Sequence, residues 1–157
     1  MASKLGFIML LNIFIGLITI AITVSIQGYG TNFWLMHITK KNNHLNAKNF
    51  NHKSARVLIF TAFFLLLLHF FQAGIWAFLY YLLPGITEFE TLEKAVYFSL
   101  VTFTTLGYGE ITIGSSNRIL AGFEAINGIL LIGWSTAFMF SVVQYIWKQQ
   151  NVNIHDK

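Results

Sequence analysis

The sequence predicts an all-α membrane protein, with three helices that cross the bilayer and a fourth, shorter helix that enters it without crossing. Three observations carry this expectation. Of the 157 residues 55% are hydrophobic and only 10% are charged, and with a mean hydropathy of +0.62 the chain is too apolar for an ordinary soluble domain. Three apolar runs are each long enough to span, since about 20 residues cross the hydrocarbon. Between the second and third lies a segment of roughly a dozen residues, too short to cross, that opens on an acidic, helix-capping sequence.

The first run covers residues 6–26, from Gly6-Phe7-Ile8-Met9-Leu10 to Val24-Ser25-Ile26, interrupted only by Asn12 and small hydroxyls. A cleaved secretory signal is the rival reading, because Lys4 precedes the run. The run exceeds a typical h-region and no Ala-x-Ala-like site follows, so a retained helix is expected. It carries no arginine ladder, which excludes a voltage-sensing helix.

Residues 27–56 are polar and basic, with Lys40, Lys41, Lys48, Lys53 and Arg56 and no acid. The positive-inside rule places such a loop in the cytoplasm and the N-terminus outside. Within it Gly28-Tyr29-Gly30 reads as a turn with an interfacial tyrosine, and Phe33-Trp34-Leu35-Met36 as a segment at the membrane surface. The lysine-rich continuation suits solvent or lipid headgroups. His37, His44 and His52 follow no strong ligand spacing and are expected to be surface histidines.

Residues 57–83 form the second span, closed by Pro84-Gly85, which cannot continue a helix. His69 and Gln72, one turn apart, are its polar points and are expected to bond across a helix interface rather than relay protons. Thr87-Glu88-Phe89-Glu90-Thr91-Leu92-Glu93 then leads into the short segment, which runs to about Phe103. Thr87 and Glu90 have capping-box spacing, and Glu90 and Glu93 suit a helix N-terminus.

The stretch that demands a particular chemistry follows directly: Thr104-Thr105-Leu106-Gly107-Tyr108-Gly109-Glu110. Two glycines bracketing an aromatic let the backbone visit conformations closed to other residues, so that successive carbonyl oxygens can point one way. Such hard oxygens suit cations. Residues 111–117 form an exit loop, and the third span runs from Arg118 to about Trp147, with Trp134, Thr136 and Phe138 at spacing that suits packing or a cavity face. Glu124 is its one acid, placed either behind the preceding loop or snorkelling outward beside Arg118. The tail, 149–157, is too short for a ligand-binding domain.

The 104–110 stretch resembles the selectivity filter of potassium channels, whose pattern is Thr-x-Gly-Tyr-Gly followed by Asp. Here Leu106 stands in place of the usual Val and Glu110 in place of Asp. The resemblance covers about 57 to 147. It implies a pore helix before the filter, an outer helix before that, and an inner helix after it, so the chain divides into 1–56 (first helix and basic loop), 57–148 (pore domain) and 149–157 (tail). It implies that Thr105, Leu106, Gly107 and Tyr108, ending at Gly109, bind potassium ions through backbone carbonyls and the Thr105 hydroxyl. Thr104, Glu110 and Glu124 become candidate filter supports. Gly128 and Gly133 become candidate hinge glycines, though a helical glycine equally permits close packing. One filter segment supplies a quarter of a ring, which implies a homotetramer.

A cell-membrane, multi-pass potassium channel with lipid around it, its C-terminus cytoplasmic, and no cofactor beyond the transported ions is therefore the expected function. A nonselective cation channel shares the architecture, but Tyr108 counts against it. A transporter subunit is expected to join several degenerate filter copies in one chain. An enzyme lacks any paired acids, nucleophile elbow or His-Glu-x-x-His helix. The pI near 9.4 does not point to nucleic acid, because the charges flank the membrane runs. No Cys is present, so disulfides and thiolate metal sites are excluded.

Overall fold

The computed structural model describes residues 2–42, 50–114 and 117–155. Among these residues four helices follow one another: α1 (Ala2–Asn42), α2 (Phe50–Leu82), α3 (Leu92–Phe103) and α4 (Arg118–His155). Three of them contain apolar stretches fit to cross a membrane, Gly6–Lys40, Ser54–Leu82 and Arg118–Lys148. The protein is all-α, as its composition and apolar runs require.

α1 departs from the expected span and loop. It continues unbroken through Gly28-Tyr29-Gly30 and Phe33-Trp34-Leu35-Met36 to Asn42, so the turn expected at 28–30 does not exist and the loop between the first two spans is shorter than 27–56. Apolar surroundings explain this: where water cannot satisfy backbone groups, a helix is retained through glycines that would end it in solvent. Gly30 is also where α2 comes close, since a β-carbon there would sit 3.2 Å from a Leu68 methyl. Trp34 turns onto α2, donating from Nε1 to Thr61 Oγ1 at 2.9 Å and stacking on Phe64 at 4.5 Å. Lys48 and His44 lie outside the described residues, and His37 stacks on Trp34.

The buried face of α1 is polar and its exposed face apolar, the reverse of a soluble helix. Asn12, Thr19, Thr23, Gln27 and Thr31 are buried, spaced to share one side of the helix, while Phe7, Leu10, Phe14 and Leu17 are exposed. The stripe meets polar partners on α2 and α4: Asn127 Nδ2 donates to Thr23 Oγ1 at 2.8 Å, Gln27 Nε2 to Ser135 Oγ at 2.9 Å, and Gln72 Nε2 to Gln27 Oε1 at 2.9 Å. His69 Nδ1 lies 3.1 Å from Gln72 Oε1, which extends the seam along α2. Such bonds hold helices together where hydrophobic driving force is absent.

α3 is wedged between α2 and α4. Its N-cap is Thr91, whose side chain accepts from the Lys94 N–H, and not Thr87 as the capping-box spacing suggests. Glu90 pairs instead with Lys94 Nζ at 2.6 Å. The main core gathers Trp76, Ala77 and Tyr80 of α2, Ala95, Phe98 and Phe103 of α3, and Leu120 and Leu131 of α4. Phe98 meets Tyr80 edge-on at 5.3 Å, the arrangement aromatic quadrupoles favour. At the opposite end a second cluster, Ile38, Val142 and Ile146, closes the bundle where α1 and α4 end and α2 begins.

Candidate functional site

α3 is capped at Thr104, and the chain turns back over the helix end instead of running on. The amides of Leu106 and Gly107 both donate to the Val101 carbonyl, at 2.9 and 3.3 Å, and Thr105 N–H donates to Thr102 O at 2.9 Å. Thr104 Oγ1 caps the Leu100 carbonyl at 2.7 Å. The carbonyls that a helix terminus leaves orphaned are thus used to shape the following loop.

Within that loop every second residue takes a positive φ: Thr105 at 59°, Gly107 at 56° and Gly109 at 81°. Leu106 and Tyr108 between them do not. Alternation of hand along the backbone is the condition under which successive peptide planes can turn their oxygens to one side. Glycine adopts positive φ without penalty. Thr105, being β-branched, does not, and such a conformation costs on the order of 1–3 kcal/mol unless the surroundings hold it.

Residues 104–110 are all exposed on the single chain, Leu106 at 55% and Tyr108 at 63%. The segment's far end is held by the Tyr97 hydroxyl, which donates to Glu110 Oε2 at 3.1 Å. Phe98, the residue after Tyr97, lies in the core behind the loop, against Phe89 at 5.2 Å.

Glu124 is fully buried and hydrogen-bonded on both oxygens, so it does not snorkel beside Arg118. The Tyr80 hydroxyl donates to Oε2 at 2.7 Å, and Ser99 Oγ hydrogen-bonds Oε1. Ser99 Oγ also donates to the Ala73 carbonyl at 2.6 Å. The carboxyl group therefore joins α2, α3 and α4 at one point. One turn further along both helices, Gly128 lies against Phe103: a β-carbon on Gly128 would sit 1.9 Å from the Phe103 carbonyl oxygen. α3 is keyed to α4 twice, Ser99 on Glu124 and Phe103 on Gly128. At Gly133 a β-carbon would meet nothing within 4 Å.

On α4 the Trp134 ring is 40% exposed, and the Thr136 hydroxyl donates back to Ile132 O at 3.0 Å. Phe138 packs against the second cluster. No group of three or more His, Cys, Asp or Glu side chains that could hold a metal lies among the described residues. The oxygens that residues 104–110 offer a cation are the backbone carbonyls, the hydroxyls of Thr104, Thr105 and Tyr108, and the Glu110 carboxylate.

A family model described as an ion channel matches residues 57–145, from early in α2 to late in α4. The chain belongs to this ion channel family. The match takes in most of α2, all of α3 and the loop after it, and most of α4 of the ion channel, and leaves α1 outside. A comparison with curated proteins found no match. Together with its three apolar helices, membership makes the chain a multi-pass membrane protein of the ion channel kind.

Reading the sequence singled out Glu124 but neither of its partners, Tyr80 and Ser99, which come from other helices. It passed over the α1 stripe, although Asn12, Thr19, Thr23, Gln27 and Thr31 recur at helical spacing in an otherwise apolar run, a signal that could have found it. Glu88, in the acidic stretch before α3, has a definite structural part. It accepts the Gly114 N–H at 2.6 Å and the Thr87 N–H at 2.9 Å, tying two loops together.

Proposed function

We propose that this ion channel is potassium-selective and works as a homotetramer with its filter at 105–109. The observation that carries the reading is the alternation of positive φ at Thr105, Gly107 and Gly109 along a Thr-Leu-Gly-Tyr-Gly sequence in a chain of the ion channel family. Carbonyls of Thr105, Leu106, Gly107 and Tyr108, with the Thr105 hydroxyl at the inner end, replace water around a dehydrated potassium ion. Stacked sites let repulsion between neighbouring ions drive exit.

Four copies supply the ring that one chain cannot close. Non-helical backbone at membrane depth is tolerated only where protein walls it in or water fills the cavity it lines. The exposed Leu106 and Tyr108 fit such an arrangement. The acids Glu88, Glu90, Glu93 and Glu110 share the filter end of the sequence with the outer loops, and Lys40, Arg56 and Lys148 the other. The acids at the mouth raise the local cation concentration. The filter then faces outside with the N-terminus, and the C-terminus lies in the cytoplasm.

Tyr108→Asp tests the assignment. Under bi-ionic conditions the variant should reverse much closer to zero than the unchanged channel, and equal reversal potentials would remove Tyr108 from the filter.

A further inference from the structure

α1 lies outside the family match, yet it reaches the loop that leaves the filter. Asn12, buried in the outer half of α1, donates from Nδ2 to Asn117 Oδ1 at 2.8 Å. Asn117 Nδ2 donates to the Gly85 carbonyl at 3.2 Å, and its backbone N–H donates to Gly114 O at 3.2 Å. Gly114 N–H in turn donates to Glu88 Oε1 at 2.6 Å. Gly114 is thus held from both sides, by Glu88 on its amide and by Asn117 on its carbonyl. Asn117 connects three separate parts of the chain: α1, the loop after α2, and the loop after the filter.

We propose that Asn12, Asn117 and Glu88 are positioning residues for the outer end of the filter, so that α1 sets how long the filter keeps its conducting shape. The proposal rests on the potassium-filter reading above. Gly109 and Gly114 are five residues apart, about 17 Å of chain at full extension. Along it Glu110, next to Gly109, is bonded to Tyr97, and Ile113, next to Gly114, is buried in the core. Gly114 is the last of this row of holds on the chain leaving Gly109, and loosening it weakens the row.

The filter needs such anchors. Its Thr105 takes a φ that a β-branched residue holds only when its surroundings impose it. With cations bound, carbonyl oxygens are satisfied by the ions. Once the ions leave, like dipoles face each other across the ring and protein contacts alone maintain the shape.

The test records potassium currents in planar bilayers and then lowers potassium on the filter side, following how long conduction persists. Three variants are compared with the unchanged channel. Asn12→Leu removes the outer clasp while keeping α1 apolar, and Glu88→Ala removes the other hold on Gly114. Gln27→Leu breaks the inner contacts of α1, to Ser135 and Gln72, about 22 Å along the helix from Asn12.

Asn12→Leu and Glu88→Ala should each shorten persistence several-fold in low potassium, with reversal potentials in high potassium unchanged, while Gln27→Leu matches the unchanged channel. Equal effects of Asn12→Leu and Gln27→Leu would make α1 a general brace and overturn the proposal. So would persistence unaltered in Asn12→Leu and Glu88→Ala. Should Asn12→Leu not assemble, Glu88→Ala still tests the hold on Gly114, since Glu88 sits in a surface loop, and unaltered persistence in it overturns the proposal. A reversal potential near zero in the unchanged channel, read before potassium is lowered, would refute the potassium reading instead.

Discussion

The Phe103 carbonyl oxygen occupies the place beside Gly128 that a β-carbon would need, 1.9 Å from where that carbon would lie. α3 therefore seats its C-terminal turn on α4 with backbone against backbone. The fixed partner is main chain at the root of the 104–110 loop, which cannot rotate away as a side-chain tip would.

Gly128→Ala should accordingly destabilise the fold by about 3 kcal/mol or more, at the upper end of overpacking costs. Gly133→Ala, with open space around it in the chain, should leave stability unchanged or slightly raised, as helical alanine does relative to glycine. Thermal unfolding of the purified proteins in detergent measures both. Equal tolerance at the two positions would show that α3 and α4 separate easily.

Glu124 gives a second prediction about the same contact. Glu124→Leu leaves the Tyr80 hydroxyl, which is fully buried, without its partner, and each such orphan costs about 1–3 kcal/mol. Glu124→Gln keeps an oxygen for Tyr80 and a polar group for Ser99. The Leu variant should unfold at clearly lower temperature and the Gln variant close to the unchanged protein. A Leu variant as stable as the Gln variant would mean the cluster contributes nothing.

Much of this architecture was legible in residue order. Apolar runs located the three long helices, Pro84-Gly85 marked the end of α2 near Leu82, and α3 ends at Phe103 as its length suggested. Features that depend on tertiary partners were not legible. Gly28 and Gly30 read as a turn because glycine usually ends helices in water, whereas a long apolar helix packed on α2 keeps them helical. Thr87 and Glu90 matched a capping box, but Thr91 stands at the helix start and bonds the Lys94 amide. Tyr80 and Ser99 are ordinary residues in sequence, and only folding brings them to Glu124 across separations of 44 and 25 residues.

The bond from Tyr97 to Glu110 ties the far end of the proposed filter to α3. Tyr97→Phe removes the hydroxyl alone. Potassium over sodium discrimination should persist in the variant, because the carbonyls are untouched, while conducting bursts shorten. Bursts of unchanged length in single-channel records would show that Glu110 is held by other contacts.

Glu90 supplies a pH prediction outside the spans. Its hydrogen bond to the Lys94 ammonium, together with that charge, holds its carboxyl below the usual carboxylate range. A depressed carboxylate contributes stability above the ordinary glutamate value of about 4.3 and loses it as pH falls through the lowered value. Both side chains are solvated, so this contribution should be small. Lys94→Ala should return the Glu90 titration, followed by carboxyl NMR, to the ordinary range with little change in melting temperature.

The central claim is that residues 105–109 form a potassium filter when four chains meet. Single-channel recording of the purified protein in a planar bilayer, with potassium on one side and sodium on the other, tests it most directly. A reversal potential close to that for potassium is the predicted result, and reversal near zero would contradict it.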